Sequence, residues 1–207
     1  GIYSLILGIK NESKIHWLLL PILFGLAFLS KQVPSSYIIL SSILVLVMFS
    51  LIKKKFYWIK YSFLSSIFFI LFLFVFGKFQ QINLSSFLEQ YLLYPQSIGV
   101  QRFEKFNFTY RGAVDHFKFI YIAIIPLFYV NLKKIFFENK YYKSKDFYYF
   151  LTLVFLTFSL ILHQLLTRNQ TFIFFLIPIL FGFSHISFDD SKTSLKNMTS
   201  LILIAVC

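Results

Sequence analysis

The 207-residue chain has a single cysteine, Cys207, which excludes an internal disulfide framework and any metal site built from cysteine. Charge is almost as scarce: Asp, Glu, Lys and Arg make up 14% of the residues, too few to coat a soluble domain of this size. Glycine is rare, with 7 copies, and none forms a phosphate-cradling loop or a nucleophile elbow. His, Asp and Glu nowhere group at metal-ligand spacing, so no metal ligand and no resident cofactor is assigned from the sequence, and metal dependence stays open. Strand-length alternation of the outer-membrane-barrel kind does not recur, and no internal repeat is visible. No signal-peptide pattern opens the chain. The start at Gly1 and the end at Cys207 inside an apolar run read as an internal piece of a longer membrane protein.

What is present is apolar. Hydrophobic residues make up 58% of the chain, with 30 phenylalanines, so the expected class is an all-α polytopic transmembrane helix bundle. The net charge of +12 invites a nucleic-acid reading, but the lysines gather where apolar runs stop, as in Lys53-Lys54-Lys55, Lys133-Lys134 and Lys140 to Lys145. That is the pattern of topology determinants and headgroup contacts, so the bilayer, not nucleic acid, is the expected partner.

Six complete spans are expected: Ile15 to Ser30, Tyr37 to Ile52, Tyr61 to Gly77, Phe117 to Leu132, Phe147 to Leu166 and Thr171 to Phe188. Partial spans flank them, one ending near Ile9 and one beginning at Leu201. Several are short for a ~30 Å hydrocarbon core, but aromatic and lysine ends make them workable. The Lys/Arg excess puts the loops at Lys10–Lys14, Lys53–Lys60, Lys133–Lys145 and Lys192–Lys196 in the cytoplasm. The expected setting is a bacterial inner membrane, with the outer side periplasmic, or luminal if the source is eukaryotic. Three polar stretches fall together on the outer, periplasmic side: Lys31-Gln32, Lys78 to His116, and His163 to Gln170.

Within the outer loop 78–116, Leu84, Phe87, Leu88, Tyr91 and Leu92 recur at helical spacing. They predict an amphipathic helix lying in the interface, capped near Asn83 and ended by Pro95, with an irregular loop from Gln96 to Asp115. A loop of this length in a compact membrane domain is more often functional than idle.

Each candidate residue has a plain alternative. Lys31 sits at a span end, where a snorkelling lysine is commonest, yet an ammonium there can also neutralise a lipid phosphate. Gln32 stands beside it. His163 follows an apolar run and reads equally as a satisfied bundle histidine or as a phosphate or sugar contact. Arg168 offers a planar fork for phosphate, and Asn169 and Gln170 suit sugar hydroxyls. In the long loop a solvated surface accounts for most charges. Arg111 is a further phosphate candidate, and Asp115 and His116, at the mouth of a span, are candidates for acid/base work. Pro21, Pro126 and Pro178 lie inside expected spans, where kinked structural helices are commoner than the broken helices of transporters.

The segment Gly25 to Gln32, GLAFLSKQ, resembles the corresponding segment of GT-C membrane glycosyltransferases, the protein O-mannosyltransferase and aminoarabinose transferase group. The stretch His163 to His185 also looks like a recurring piece of that group. The resemblance implies transfer of a sugar from a polyprenyl-phosphate donor to a lipid, glycan or protein acceptor at the outer face. It places Lys31 at the position of the family's lysine on this span. The family's catalytic acid lies in an earlier outer loop, upstream of this chain, so no catalytic residue is assigned here. Two other classes stay open: an O-antigen polymerase or ligase type enzyme, and a transporter or flippase.

Overall fold

The computed structural model describes residues 1–167 and 173–190. The chain divides into two compact units, Gly1–Phe106 and Asn107–Cys207, whose boundary falls inside the expected outer loop. Among the described residues every regular element is helical, as the composition predicts.

The first unit opens with α1 (Ile2–Asn11), α2 (Lys14–Ser30), α3 (Gln32–Lys53) and α4 (Tyr57–Phe79). Each tight turn has a local cause. Glu12 closes α1 in the left-handed region (φ 52°), its N–H donating to the Gly8 carbonyl. Lys54, after α3, is also left-handed (φ 55°). Between α2 and α3 the chain turns at Lys31 and Val33, both extended, and the regular part of α3 starts at Pro34, which fits a first helical turn.

The packing is that of a membrane bundle. Helix α4 buries one side chain, Ser65, while Phe68, Ile70, Leu71, Phe72 and Val75 are exposed. A water-facing helix would carry the opposite distribution. Ser65 and Ser62 donate to the Leu18 and Trp17 carbonyls of α2, and Ser4 of α1 donates to the His16 carbonyl at 2.8 Å. At one end of the unit Trp17 is fully buried among Phe49, Tyr57 and Trp58, with ring centroids 6.4–6.5 Å away. A Cβ at Gly8 would meet the Trp17 ring at 2.8 Å, so a glycine is needed for α1 to approach this closely.

Beyond α4, Asn83 caps α5 (Leu84–Leu88), its Oδ1 accepting from the Ser85 N–H at 3.0 Å, as the sequence predicts. The rest of the expectation needs correction. Pro95 does not end the helix. A wide π-turn, Glu89–Leu93, leads into α6 (Tyr94–Glu104), with Pro95 in its first turn, so much of the expected irregular loop is helical. The π-turn moves carbonyls away from the proline ring, which otherwise clashes with the one four residues back.

The second unit contains a π-turn at Arg111–Asp115, then α7 (Lys118–Phe137), α8 (Lys145–Thr167) and α9 (Leu176–Asp190). Helix α7 buries Ile120, Ala123, Ile124, Leu127, Val130 and Asn131, a stripe at helical spacing that includes its contact with α9. The His116 and Phe174 rings meet at 5.7 Å, which brings the start of α7 and the approach to α9 to one end of the unit.

Among the described residues four helices are long and apolar enough to cross a membrane: α3, α4, α7 and α8. This is compatible with an integral membrane protein. Two of the six expected spans are apolar but shorter: α2, and α9 over Leu176–Ile186. Helix α2 rises about 26 Å at 1.5 Å per residue, a little less than the ~30 Å core. Lys192, Lys196 and the partial span from Leu201 lie outside the described residues.

The Lys55 ammonium donates to both Glu12 carboxylate oxygens at 2.6–2.7 Å, joining the α1–α2 and α3–α4 turns. It holds the Glu12 carboxyl below its ordinary value of 4.5. A lowered folded pKa stabilises at pH above that value, and the stabilisation is lost as pH falls through the folded value. Both side chains are about two-fifths exposed, so screening limits the coupling to roughly 0.2–1 kcal/mol. A double-mutant cycle of Glu12→Gln and Lys55→Met, read by thermal unfolding in detergent, should show that coupling in full at pH 7 and a progressive loss of it as the pH is lowered below 4.5.

Candidate functional site

In the first unit the site is the corner at Lys31. The Lys31 N–H closes α2 on the Ala27 carbonyl at 2.9 Å, and the Ser35 hydroxyl donates to the same carbonyl at 3.0 Å. Lys31 itself is exposed at this fixed corner. Gln32 points the other way: its Nε2 donates to the Tyr91 carbonyl at 3.0 Å. Pro95 has no N–H to offer that carbonyl, so the Gln32 amide supplies the donor that the helix cannot. The Tyr91 ring stacks on Phe87 at 4.7 Å. Arg102 of α6 lies close enough to act electrostatically on the Tyr37 hydroxyl, one turn into α3. The Lys31-Gln32 stretch and the segment after Asn83 therefore share one end of this unit, as alternate threading requires. Gln32, expected to touch substrate, has its amide committed to the backbone.

In the second unit Thr109, Arg111, Gly112, Asp115 and His116 line an open cup of about 510 Å³. The π-turn builds it. The Thr109 hydroxyl accepts from the Gly112 N–H at 3.2 Å, and the Tyr121 hydroxyl donates to the Ala113 carbonyl at 2.7 Å. Arg111 thus comes together with Asp115 and His116, the pair singled out from the sequence. Asp115 pairs with Lys118 at 3.0 Å, with both side chains half exposed. The His116 ring lies edge-on to Phe117 at 4.7 Å and also meets Phe174, so its orientation is fixed by packing.

His163 does not line this cup. It is buried on α8, with its Nδ1 3.3 Å from the Gln164 amide and its carbonyl accepting from the Thr167 hydroxyl at 2.8 Å. That is the arrangement of a packed bundle histidine. Arg168, Asn169 and Gln170 lie outside the described residues. Among the described residues no group of His, Cys, Asp or Glu has the geometry to hold a metal ion.

One polar cluster was missed from the sequence. At the far end of α7, Asn131 is buried; its Nδ2 donates to the Leu127 carbonyl at 2.8 Å, and its Oδ1 accepts from the buried Tyr141 hydroxyl. Burial, with Asp146 and Glu138 nearby, pushes the Tyr141 phenol well above its ordinary range, so it remains a donor at all ordinary pH. The signal was an asparagine inside an apolar run, one turn before lysines read only as topology markers.

The Gln32–Tyr91 bond makes a specific prediction. Gln32→Ala leaves the Tyr91 carbonyl without its side-chain donor and should cost about 1–3 kcal/mol of stability in detergent. In a Pro95→Ala background the helix regains an N–H, and the same substitution should cost less than half as much by thermal unfolding. Comparisons with protein-family models, curated proteins and solved structures each returned no match, so the functional reading rests on the corner and the cup.

Proposed function

We propose that this chain belongs to a membrane glycosyltransferase of the GT-C kind. It transfers a sugar from a polyprenyl-phosphate donor to a lipid, glycan or protein acceptor at the periplasmic face of a bacterial inner membrane. The observation that supports this most is the Lys31 corner, an exposed ammonium on a short, fixed turn between two apolar helices. It lies at the end of the unit that also carries the Tyr91 segment. In this reading α2 and α9 are short crossings beside the four longer helices, giving six spans in all.

The chemistry asks little of the chain beyond charge and cover. The bond between the anomeric carbon and the phosphate oxygen breaks, and its electron pair leaves on the phosphate. The acceptor oxygen bonds to the same carbon and loses its proton to a general base. A cation fixed at the membrane rim stabilises the charge that grows on the departing phosphate. Lys31 takes that role, and the α5–α6 segment covers the lipid-linked donor from the aqueous side. In the second unit Arg111 serves as a phosphate contact, and Asp115 and His116, in the same cup, as the acid/base candidates. Arg168, Asn169 and Gln170 keep the phosphate and sugar roles expected of them from the sequence.

The test is transfer from a polyprenyl-phosphate sugar by the full-length protein in membranes. Lys31→Ala should lower the rate by roughly tenfold to a hundredfold, the worth of one charge-assisted contact, with expression unchanged. Lys31→Arg should keep most of it. Undiminished transfer by Lys31→Ala removes the phosphate role.

A further inference from the structure

The second unit holds another cavity, at the opposite end of α7 from the Arg111–His116 cup. Its volume is about 240 Å³, smaller than sites for drug-sized ligands and suited to a headgroup-sized one. Its polar wall is Asn131 and Lys134 from the last turns of α7, Tyr141 from the connecting turn, and Asp146 and Tyr149 from the start of α8. Its apolar wall includes Leu127, Leu153 and Phe183, further along the helices.

The polar wall is built, not incidental. Asn131 and Tyr141 are almost wholly buried and bonded to each other, and the Lys134 ammonium lies over the Tyr141 ring, 5.8 Å from its centroid. Ser144 accepts from the Phe147 N–H at 3.1 Å and so caps α8, which fixes Asp146 in its first turn. Asp146 sits close enough to act electrostatically on both Tyr141 and Tyr149. The Tyr149 hydroxyl is buried and has no hydrogen-bond partner among the described residues. A phenol with an unused donor, one cation and one carboxylate thus share a small pocket with a greasy inner wall.

That charge pattern selects its ligand. A purely anionic group would meet Asp146 unfavourably, and a purely cationic one would meet Lys134. A zwitterion satisfies both, and a primary ammonium can donate hydrogen bonds to a carboxylate where a quaternary one cannot. We propose that this pocket binds the phosphoethanolamine headgroup of a membrane lipid. The phosphate lies against Lys134 and Tyr149, the ammonium against Asp146, and the ester region against Leu127, Leu153 and Phe183. The site is independent of sugar transfer and lies at the lysine-rich end of the second unit, at the opposite end of α7 from the Arg111–His116 cup.

The full chain in detergent is titrated with phosphatidylethanolamine, phosphatidylcholine and phosphatidylglycerol of matched acyl chains, and with soluble O-phosphoethanolamine. Bound lipid is read by native mass spectrometry and by the shift in unfolding midpoint. Phosphatidylethanolamine should bind about tenfold more tightly than the other two lipids and than the soluble headgroup. Asp146→Asn should abolish its advantage over phosphatidylcholine. Tyr149→Phe should weaken it about threefold to tenfold, the loss of one hydrogen bond. Lys134→Met should weaken it further, while Lys134→Arg retains it. Phe136→Ala, an exposed position outside the pocket, should change nothing. Equal binding of the three lipids, or an intact preference in Asp146→Asn, overturns the proposal. Equal binding of O-phosphoethanolamine overturns the lipid as the source. If Lys134→Met does not fold, the conservative Tyr149→Phe and Asp146→Asn variants decide.

Discussion

In an apolar bundle a hydroxyl, an amide or a stray carbonyl has little water to fall back on, so each must find its partner inside the chain. That constraint explains more of this fold than apolar burial does. Many serines and threonines bond back to a carbonyl of their own helix, as Ser42, Ser50, Thr152 and Ser184 do, and others reach a neighbouring helix. Ser4 ties α1 to α2, and Ser62 and Ser65 tie α4 to α2. The Gln32 amide on the Tyr91 carbonyl follows the same rule where a proline has removed the usual donor. Leucine packing has little power to choose one helix pairing over another when lipid is an equally good solvent. Hydrogen bonds between helices provide that choice.

The helical class was legible because mean apolarity and run length carry it. The helix ends were legible to within a few residues where a lysine run or a proline marked them, as at Lys31 and Lys53. The segment after Asn83 shows the limit. Its apolar spacing and its cap were readable, but Pro95 was taken as a stop because a proline usually is one. The chain admits it through a π-turn and a glutamine far away in sequence, and no local pattern announces either. Span length was underestimated where flanking residues extend α3, α4 and α7 past the expected bounds, while α2 runs over Lys14–Ser30, almost as expected, and α9 starts later than expected, at Leu176.

The candidate site was legible as a set of positions, not as an arrangement. Asp115 and His116 were read together at the mouth of a span and Arg111 apart from them, and the π-turn that gathers all three came only with coordinates. Gln32 and His163 show the opposite outcome. A polar residue near a span end looks functional in a sequence, yet both side chains engage neighbours within their own unit. Asn131 and Tyr149 were passed over because the lysines beside them already had an explanation.

Helix α4 carries a consequence for how this sequence can drift. With a serine as its one buried side chain, it has almost no internal mould for its phenylalanines to fit. Shape is therefore unconstrained along most of its length, and only oil solubility is under selection. Leu, Ile, Phe and Val should interchange freely there over generations, leaving position 65 as a fixed point in a rapidly turning stretch. An isolated invariant serine amid interchangeable grease would look like a catalytic nucleophile in an alignment, though its task is only to hold two helices together.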